Sequence, residues 1–235
     1  TAVSHYLKAE TQTVFETNKD IRVIHNFIDF DRFKPINKDH FKKAIAPNGE
    51  RILAHVSNFR KVKRVSDVVR VFEKVYQKMP CKLILVGDGP DRYNAELMCR
   101  EIGLCHEVRF LGKQDAIEEL LAIADLFIMP SGSESFGLAA LEAMACEVPV
   151  ISSNVGGLPE VNIHGKTGYL SDLGNVEEMA NYAYEILKDD ATLQQFKTNA
   201  LAQAKQFDIQ NIIHFYEDYY EEIIETCVYD KTDVL

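Results

Sequence analysis

Several signals are missing from these 235 residues, and each absence closes off a class of function. No apolar run approaches the ~18–20 residues of a membrane span, so no span is expected. With a formal net charge of −10 the chain lacks the positive field that nucleic acid needs, and nucleic acid is excluded as the main partner. The cysteines, Cys81, Cys99, Cys105, Cys146 and Cys227, are odd in number, scattered and without metal-ligand spacing. They suit neither a disulfide framework nor a zinc site, and imply a reducing, cytoplasmic setting with mostly buried thiols. There is no Gly-x-Ser-x-Gly elbow, because Gly132-Ser133-Glu134-Ser135-Phe136 puts an acid where the serine should stand. No Gly-Lys-Ser/Thr follows a glycine turn, and internal repeats are absent. The opening Thr1-Ala2-Val3-Ser4 has neither an initiator Met nor a signal pattern, so the chain is expected to be a piece of a longer protein.

What is present is an ordinary globular composition, 46% hydrophobic and 26% charged, enough for one full domain and part of another. Residues 1–47 read as the end of a preceding domain and its linker. They hold short strands at 1–3 and 21–24, a helix from 5 to 15 with Ser4 as N-cap, and a polar helix near 39–44. Pro47-Asn48-Gly49 marks the boundary. From residue 51, short apolar runs at 51–56, 82–86, 108–111, 126–129, 148–152 and 168–170 alternate with helical patterns at 65–77, 91–101, 116–123, 138–145 and 158–161. Strands that are apolar throughout belong to a parallel sheet covered on both faces. The expectation is an α/β, doubly wound, Rossmann-like domain of about six strands over 48–206, with ligands at the carboxyl ends of the strands. Helices at 176–187 and 192–206 complete it. A last helix from 210 to 225, within a segment 207–235, carries an apolar face expected to pack toward the preceding domain.

The most informative stretch is 129–145. It leaves an apolar strand, breaks at Pro130 and Gly132, and launches a helix rich in Leu, Ala, Glu and Met. A strand, a polar loop and a helix N-terminus form a ready anion site. Glu134 precedes the helix and Glu142 lies about two turns inside it. Carboxylates accept hydrogen bonds from hydroxyls and repel phosphate, so this combination implies a ligand anionic in one part and hydroxyl-rich in another: a nucleotide sugar. The placement of the two acids, one in a loop and one inside a helix, does not suit a glycosidase pair flanking one bond.

Three other strand ends carry small or charged residues. Arg60, Lys61, Lys63 and Arg64 would neutralise a diphosphate leaving group; a solvated basic turn is the alternative, and the strand-end location favours the site. Gly87-Asp88-Gly89-Pro90 lets a ligand approach backbone, or is a plain turn; it is not the dinucleotide fingerprint, since Arg92 stands at the sixth position. Gly156-Gly157-Leu158-Pro159-Glu160 either brings N–H groups to an anion or is a tight strand-to-helix turn. Asp29-Phe30-Asp31 has the form of a metal clamp but sits in a polar connector, where aspartates in turns are commoner.

Together these residues resemble a known family. Glu134-Ser135-Phe136-Gly137-Leu138 through Glu142-Ala143-Met144-Ala145 is similar to the Glu-x7-Glu motif of retaining glycosyltransferases with the two-domain GT-B fold, the large family four. Residues 26–33, Gly87-Asp88-Gly89-Pro90, Phe110-Leu111-Gly112, Pro149-Val150-Ile151, residues 156–160 and Gly165-Lys166-Thr167-Gly168-Tyr169 match in order. Within the family, residues 56–65 resemble the N-acetylglucosaminyl L-malate synthases that begin bacillithiol biosynthesis.

The resemblance implies the C-terminal, donor-binding half of a hexosyltransferase. The reaction implied is transfer of N-acetylglucosamine from UDP-N-acetylglucosamine to L-malate with retention, needing no cofactor and no metal. Glu142 would hold the ribose hydroxyls, and Glu134 would meet the donor sugar. The backbone of Ser135, Phe136, Gly137 and Leu138 would meet sugar and phosphate, and Gly87 would line the site. Lys63 matches the diphosphate lysine. The family arginine aligns with Asn58, a departure for which Arg60 would supply the charge. Gln114 lies in the segment that meets the uracil edge. Two alternatives stay open: a family-four transferase using another UDP- or GDP-hexose and acceptor, or a non-catalytic nucleotide-sugar binding module. Self-association into a homo-oligomer also stays open.

Overall fold

A computed structural model describes residues 1–229 of the chain. Six strands, β1 (Arg51–Val56), β2 (Cys81–Val86), β3 (Val108–Gly112), β4 (Leu126–Met129), β5 (Val150–Ser153) and β6 (Gly168–Ser171), pair in the order β3-β2-β1-β4-β5-β6. Every pairing is parallel. The chain builds outward from β1 to β3, then returns to place β4 on the other side of β1. The sheet therefore has its topological switch point between β1 and β4, where an open α/β sheet leaves a crevice at its carboxyl edge.

The four inner strands β1, β2, β4 and β5 bury both faces, while the edge strands β3 and β6 are partly exposed, and the period of two sorts the side chains between two cores. Leu53, Leu83, Leu85, Leu126, Ile128 and Ile151 point into one, closed by α3 (Val65–Tyr76), α4 (Arg92–Glu101) and α8 (Val176–Leu187). Ile52, Ala54, Ile84, Phe127, Met129 and Val150 point into the other, under α5 (Ile117–Leu121), α6 (Leu138–Ala145), α7 (Leu158–Val161) and α9 (Asp190–Ala204). The doubly wound α/β expectation holds, and between residues 51 and 206 the strand and helix bounds fall within about two residues of the sequence reading, the ordinary fraying of element ends.

The first 47 residues hold α1 (His5–Val14) and α2 (Asp39–Ile45). Ser4 caps α1 as its sequence suggests, accepting from the Leu7 N–H at 3.0 Å. The two short strands expected at 1–3 and 21–24 reduce to one isolated bridge, Ala2 to Val23. The segment has one partner rather than a sheet, so no ladder propagates. Its residues 22–27 instead receive α10 (Ile209–Tyr229): the Tyr216 hydroxyl donates to the Ile24 carbonyl at 3.2 Å and Arg22 pairs with Glu222 at 2.8 Å. Ile213, Phe215, Tyr220, Ile223 and Ile224 on the same helix remain exposed. Residues 230–235 of the expected C-terminal segment lie outside the described residues.

Candidate functional site

Two adjoining clefts open at the switch point and share Val56, Ser57 and Asn58 from the end of β1. One, of about 330 Å³, is lined by His55, Ser57, Lys63, Ser131, Glu134, Leu138, Ala139 and Glu142, among others. The second, of about 370 Å³, runs to Gly87, Asp88, Lys113, Gln114 and Ile117. Larger clefts of about 520 and 650 Å³ lie around Pro47 and Arg51, at the opposite edge of the sheet. Size does not select between them; the strand ends that carry the charged loops do.

The loop after β1 bends sharply. Phe59 is fully buried at φ 34°, and Arg64 reaches φ 52° before α3 begins. Lys63 is the loop cation that lines the cleft. Its ammonium contacts the Glu134 carboxylate at 2.5 Å, which leaves two of its three N–H donors for a ligand. Arg60 and Lys61 stand exposed and line neither cleft, so the proposed replacement of the family arginine by Arg60 has no support in this geometry. Arg64 is turned away: its Nε donates to the buried Asp67 at 2.6 Å, and its guanidinium packs at Gly174. The expected four-cation patch is thus one lysine in the cleft, because the tight turn into α3 sends the others outward or into a local pair.

The loop after β4 is set by close backbone contacts. Gly156 has φ 59°, and a Cβ there would lie 1.9 Å from the Glu134 carbonyl oxygen. The Gly157 N–H donates to that same carbonyl at 2.9 Å. The Gly157 N–H is thus spent on the Glu134 carbonyl, and the paired glycines form a tight strand-to-helix turn packed against that loop. Gly87 does the same for the first loop, since a Cβ on it would sit 1.8 Å from the Ser57 carbonyl oxygen. The two loops are tied by the Gly132 N–H donating to the Val62 carbonyl at 2.7 Å.

Phe136 is buried, packing edge-on to Phe207, so any contact it makes with a ligand is through its backbone. Gly137 takes φ 104° at the start of α6 and supplies no side-chain cap. The first intrahelical bonds run from Ala140 and Leu141 to Gly137. The N–H groups ahead of them belong to Leu138 and Ala139, both in the cleft wall, at the positive end of the helix. Ser135 is exposed, and its carbonyl accepts from the buried Ser4 hydroxyl at 2.6 Å. Gln114 donates its amide nitrogen to the Leu111 carbonyl at 2.7 Å, which turns its amide oxygen free beside the second cleft. Asn58 is exposed at the junction of the clefts.

Glu142 projects from the second turn of α6, and burial drives its carboxyl up to about 7, with Arg32 opposing and Glu118 adding to the rise. No hydrogen bond offsets that burial, so its oxygens stay available as acceptors. Sequence reasoning missed His55, which is fully buried on the cleft floor. Its Nδ1 lies 2.8 Å from the Ile128 carbonyl and its Nε2 2.8 Å from the Ser57 hydroxyl. Asp29-Phe30-Asp31 is a turn, with the Asp29 carboxylate accepting from the Asp31 N–H at 2.8 Å. Among the described residues, His5, His25 and Glu160 form the one group spaced for a metal. The Glu160 carboxylate already accepts from the His5 and Tyr6 N–H groups at 3.0 and 2.9 Å and meets His25 at 3.2 Å, which makes it a cap for α1.

Comparison with known proteins fits this geometry. The family model "Glycosyl transferases group 1" matches residues 36–203. The N-acetyl-alpha-D-glucosaminyl L-malate synthase of Bacillus anthracis is 43% identical over 226 residues, 95% of this chain and 59% of that protein. A D-inositol 3-phosphate glycosyltransferase of Corynebacterium diphtheriae is 33% identical over 172 residues, 68% of this chain and 40% of that protein. Among solved structures, HepE of Anabaena in complex with UDP superposes with a TM-score of 0.86 at 25% identity, covering 94% of this chain and 63% of that one. The chain thus spans about two fifths to three fifths of the curated relatives named here. No described helix is long and apolar enough to cross a membrane. With its family motif lodged in the crevice of a doubly wound sheet, this chain belongs to the glycosyl transferases group 1 family.

Proposed function

We propose that the chain is the donor-binding half of a retaining glycosyltransferase that moves N-acetylglucosamine from UDP-N-acetylglucosamine to L-malate in the cytoplasm. The observation that carries a nucleotide-sugar reading is that Lys63, Glu134, Glu142 and the start of α6 meet in one cleft at the switch point. The 43% identity to a protein named for N-acetylglucosaminyl L-malate synthesis supports this donor and acceptor. Residues 1–47 are then the end of the acceptor domain and linker, 48–206 the donor domain, and 207–235 a helix and tail returning toward the acceptor side.

In this reading the uracil lies in the second cleft by Gln114, and Glu142 as carboxylate accepts from the ribose hydroxyls. The diphosphate sits between the Lys63 ammonium and the first N–H groups of α6. Glu134 holds Lys63 and accepts from a sugar hydroxyl. The bond from the sugar C1 to the β-phosphate oxygen breaks while the acceptor hydroxyl attacks the same face. Its proton passes to the departing phosphate oxygen, so no protein base is needed and neither Glu134 nor Glu142 acts as nucleophile. Lys63 and the helix terminus stabilise the negative charge that builds on UDP. The residues present suffice for that charge, and no metal is assigned.

The test is a calorimetric titration with UDP, UDP-N-acetylglucosamine, UDP-glucose and GDP-mannose. The reading expects UDP donors to bind, with UDP-N-acetylglucosamine tightest, and Glu142→Ala to weaken UDP by about tenfold, the value of one good hydrogen-bonded contact. Unchanged UDP affinity in Glu142→Ala would remove the ribose role. Turnover requires the chain joined to its upstream domain, with UDP release measured in the presence of L-malate; binding without turnover there would mark a non-catalytic module.

A further inference from the structure

His55 lines the donor cleft yet has no part in the chemistry above. Its ring stacks near Phe127, with centroids 6.2 Å apart and planes 17° apart, and lies 6.2 Å from the ring of Phe59, so its orientation is fixed. The Ile128 carbonyl 2.8 Å from Nδ1 can only accept, so Nδ1 carries a hydrogen. Burial, with Lys63 adding to it, pushes the imidazole down to about 4, so the ring is neutral and Nε2 is bare. A bare Nε2 at 2.8 Å from the Ser57 hydroxyl can only accept. The single Ser57 proton is therefore committed to His55. The Phe59 N–H donates to the same oxygen at 3.3 Å. What Ser57 offers the cleft is a lone pair and nothing else.

Ser57 stands where the two clefts join. Phosphate oxygens at neutral pH have little to donate and are unwelcome beside an oxygen that only accepts, whereas a ligand hydroxyl finds a partner there. We infer that Ser57 reads one hydroxyl of the nucleotide sugar as an acceptor-only contact, and that His55 is the positioning residue that fixes this polarity. The inference rests on the nucleotide-sugar reading of the cleft and sharpens it. Lys63 and α6 take the anion, and the His55–Ser57 pair keeps the hydroxyl-bearing part of the ligand in register beside it.

The test measures binding by the whole chain of UDP-N-acetylglucosamine and of analogues lacking single hydroxyls on the ribose or the hexose, with inorganic pyrophosphate as an all-acceptor control. Wild type is expected to bind one of these analogues about tenfold more weakly than the parent, on the scale of one lost hydrogen bond. Ser57→Ala should bind the parent about tenfold more weakly and show no further penalty with that analogue, while its pyrophosphate affinity is unchanged. His55→Leu should behave like Ser57→Ala. His55→Gln, whose amide both donates and accepts, should restore the wild-type preference, which a merely structural role for His55 would not produce. If every analogue keeps its wild-type penalty in Ser57→Ala, or if pyrophosphate weakens with the loss of Ser57, the inference is overturned even though the cleft binds the nucleotide sugar. If wild type binds neither UDP nor UDP-N-acetylglucosamine, the donor-site reading fails and takes this inference with it. Ser57→Ala alone decides the matter should His55→Leu not fold.

Discussion

The loop after β1 and the loop after β4 are built to one plan and secured in different ways. Each leaves the carboxyl end of a strand at the switch point, each carries one charged residue to the cleft, Lys63 or Glu134, and each is backed by a glycine turn from the neighbouring strand. The first loop is held from within the α/β unit. His55 pins Ser57, Phe59 is fully buried in the core, and Arg64 pairs with Asp67. The second loop depends on contacts from elsewhere in sequence: Ser4 donates to the Ser135 carbonyl, and the turn that holds Glu134 ends in Glu160, which caps α1. The acidic half of the site is thus coupled to residues 1–25, and the basic half is not. A segment that shifts α1 would move Glu134 while leaving Lys63 behind, and so break their contact.

The largest effect expected from breaking this plan comes from the glycine turns. Gly156→Ala places a Cβ against the Glu134 carbonyl at φ 59°, and Gly87→Ala places one against Ser57 at φ 126°. In both the obstacle is backbone, which cannot rotate away, so a loss of about 3 kcal/mol or more is expected. Chemical denaturation should show comparable destabilisation for the two. UDP-sugar affinity should separate them: Gly156→Ala displaces Glu134, whereas Gly87→Ala displaces the Ser57–Asn58 junction and should also disturb the uracil side. Alanine variants as stable as wild type would show that the turns are not the loops' supports.

The second effect in size concerns acid. His55 is held well below its ordinary value, at about 4, by burial. A depressed folded-state value means that the stability tied to the neutral ring is fully present above the unfolded value near 6.5 and is lost as pH falls through about 4. The loss is on the order of 3 kcal/mol at the low end. A pH series of urea melts should show a steeper decline between pH 6 and 4 in wild type than in His55→Gln; parallel curves would mean that the ring takes up its proton without cost. The protonated ring would disturb both of its partners, the Ser57 hydroxyl of the basic loop and the Ile128 carbonyl on β4.

Much of this was legible in the sequence. Parallel strands buried on both faces appear as unbroken apolar runs, so β1 to β6 and the helices between them stood out, and Ser4 was readable as a cap. The acids of 129–145 fell into one cleft because an eight-residue spacing across a helix start brings both to the same side. What was hidden depends on partners far along the chain. His55 acquires its role from Ile128, 73 residues away. The strand expected at 21–24 has the right residue types but only Ala2 to pair with. Gly156 and Gly157 were visible as a pair, yet that the Gly157 N–H meets a carbonyl is decided by where Glu134 arrives. One correction was available locally: Arg64 and Asp67 are three positions apart on the first turn of a helix, a spacing that pairs them and withdraws the arginine from the cleft.

The contact between the loops can be taken apart by a double-mutant cycle. Lys63→Ala removes the cation in the cleft wall and is expected to weaken UDP by about tenfold or more, as loss of a charge-assisted contact does. Glu134→Gln keeps the shape, frees the lysine and should change UDP itself little, while weakening UDP-N-acetylglucosamine through the lost sugar contact. Ser4→Ala, which removes the bond to the acidic loop together with the cap of α1 and leaves the basic loop untouched, should follow Glu134→Gln in weakening the sugar nucleotide more than UDP. If Ser4→Ala weakened both equally, the two loops would be one mechanical unit, and the asymmetry between them would be wrong.

The smallest effect is a pH dependence, and its sign follows from burial. The Glu142 carboxyl sits at about 7, above its ordinary value, because burial penalises the charged form. Ribose hydroxyls are best accepted by the carboxylate, so UDP affinity should rise a few-fold from pH 6 to pH 8. Folding stability runs the other way. A raised folded-state value means that the contribution of the protonated carboxyl is complete below the unfolded value near 4.3 and is lost as pH climbs through about 7. Glu142→Gln should therefore be more stable than wild type at pH 8, by on the order of 1–3 kcal/mol, and bind UDP more weakly and without the pH slope. Thermal melts and titrations at pH 6, 7 and 8 on both proteins read the two trends together. A flat UDP affinity in wild type would place the ribose elsewhere. A stability gain without a binding loss would leave Glu142 a buried acid with no ligand, and the acidic half of the cleft would then rest on Glu134 alone.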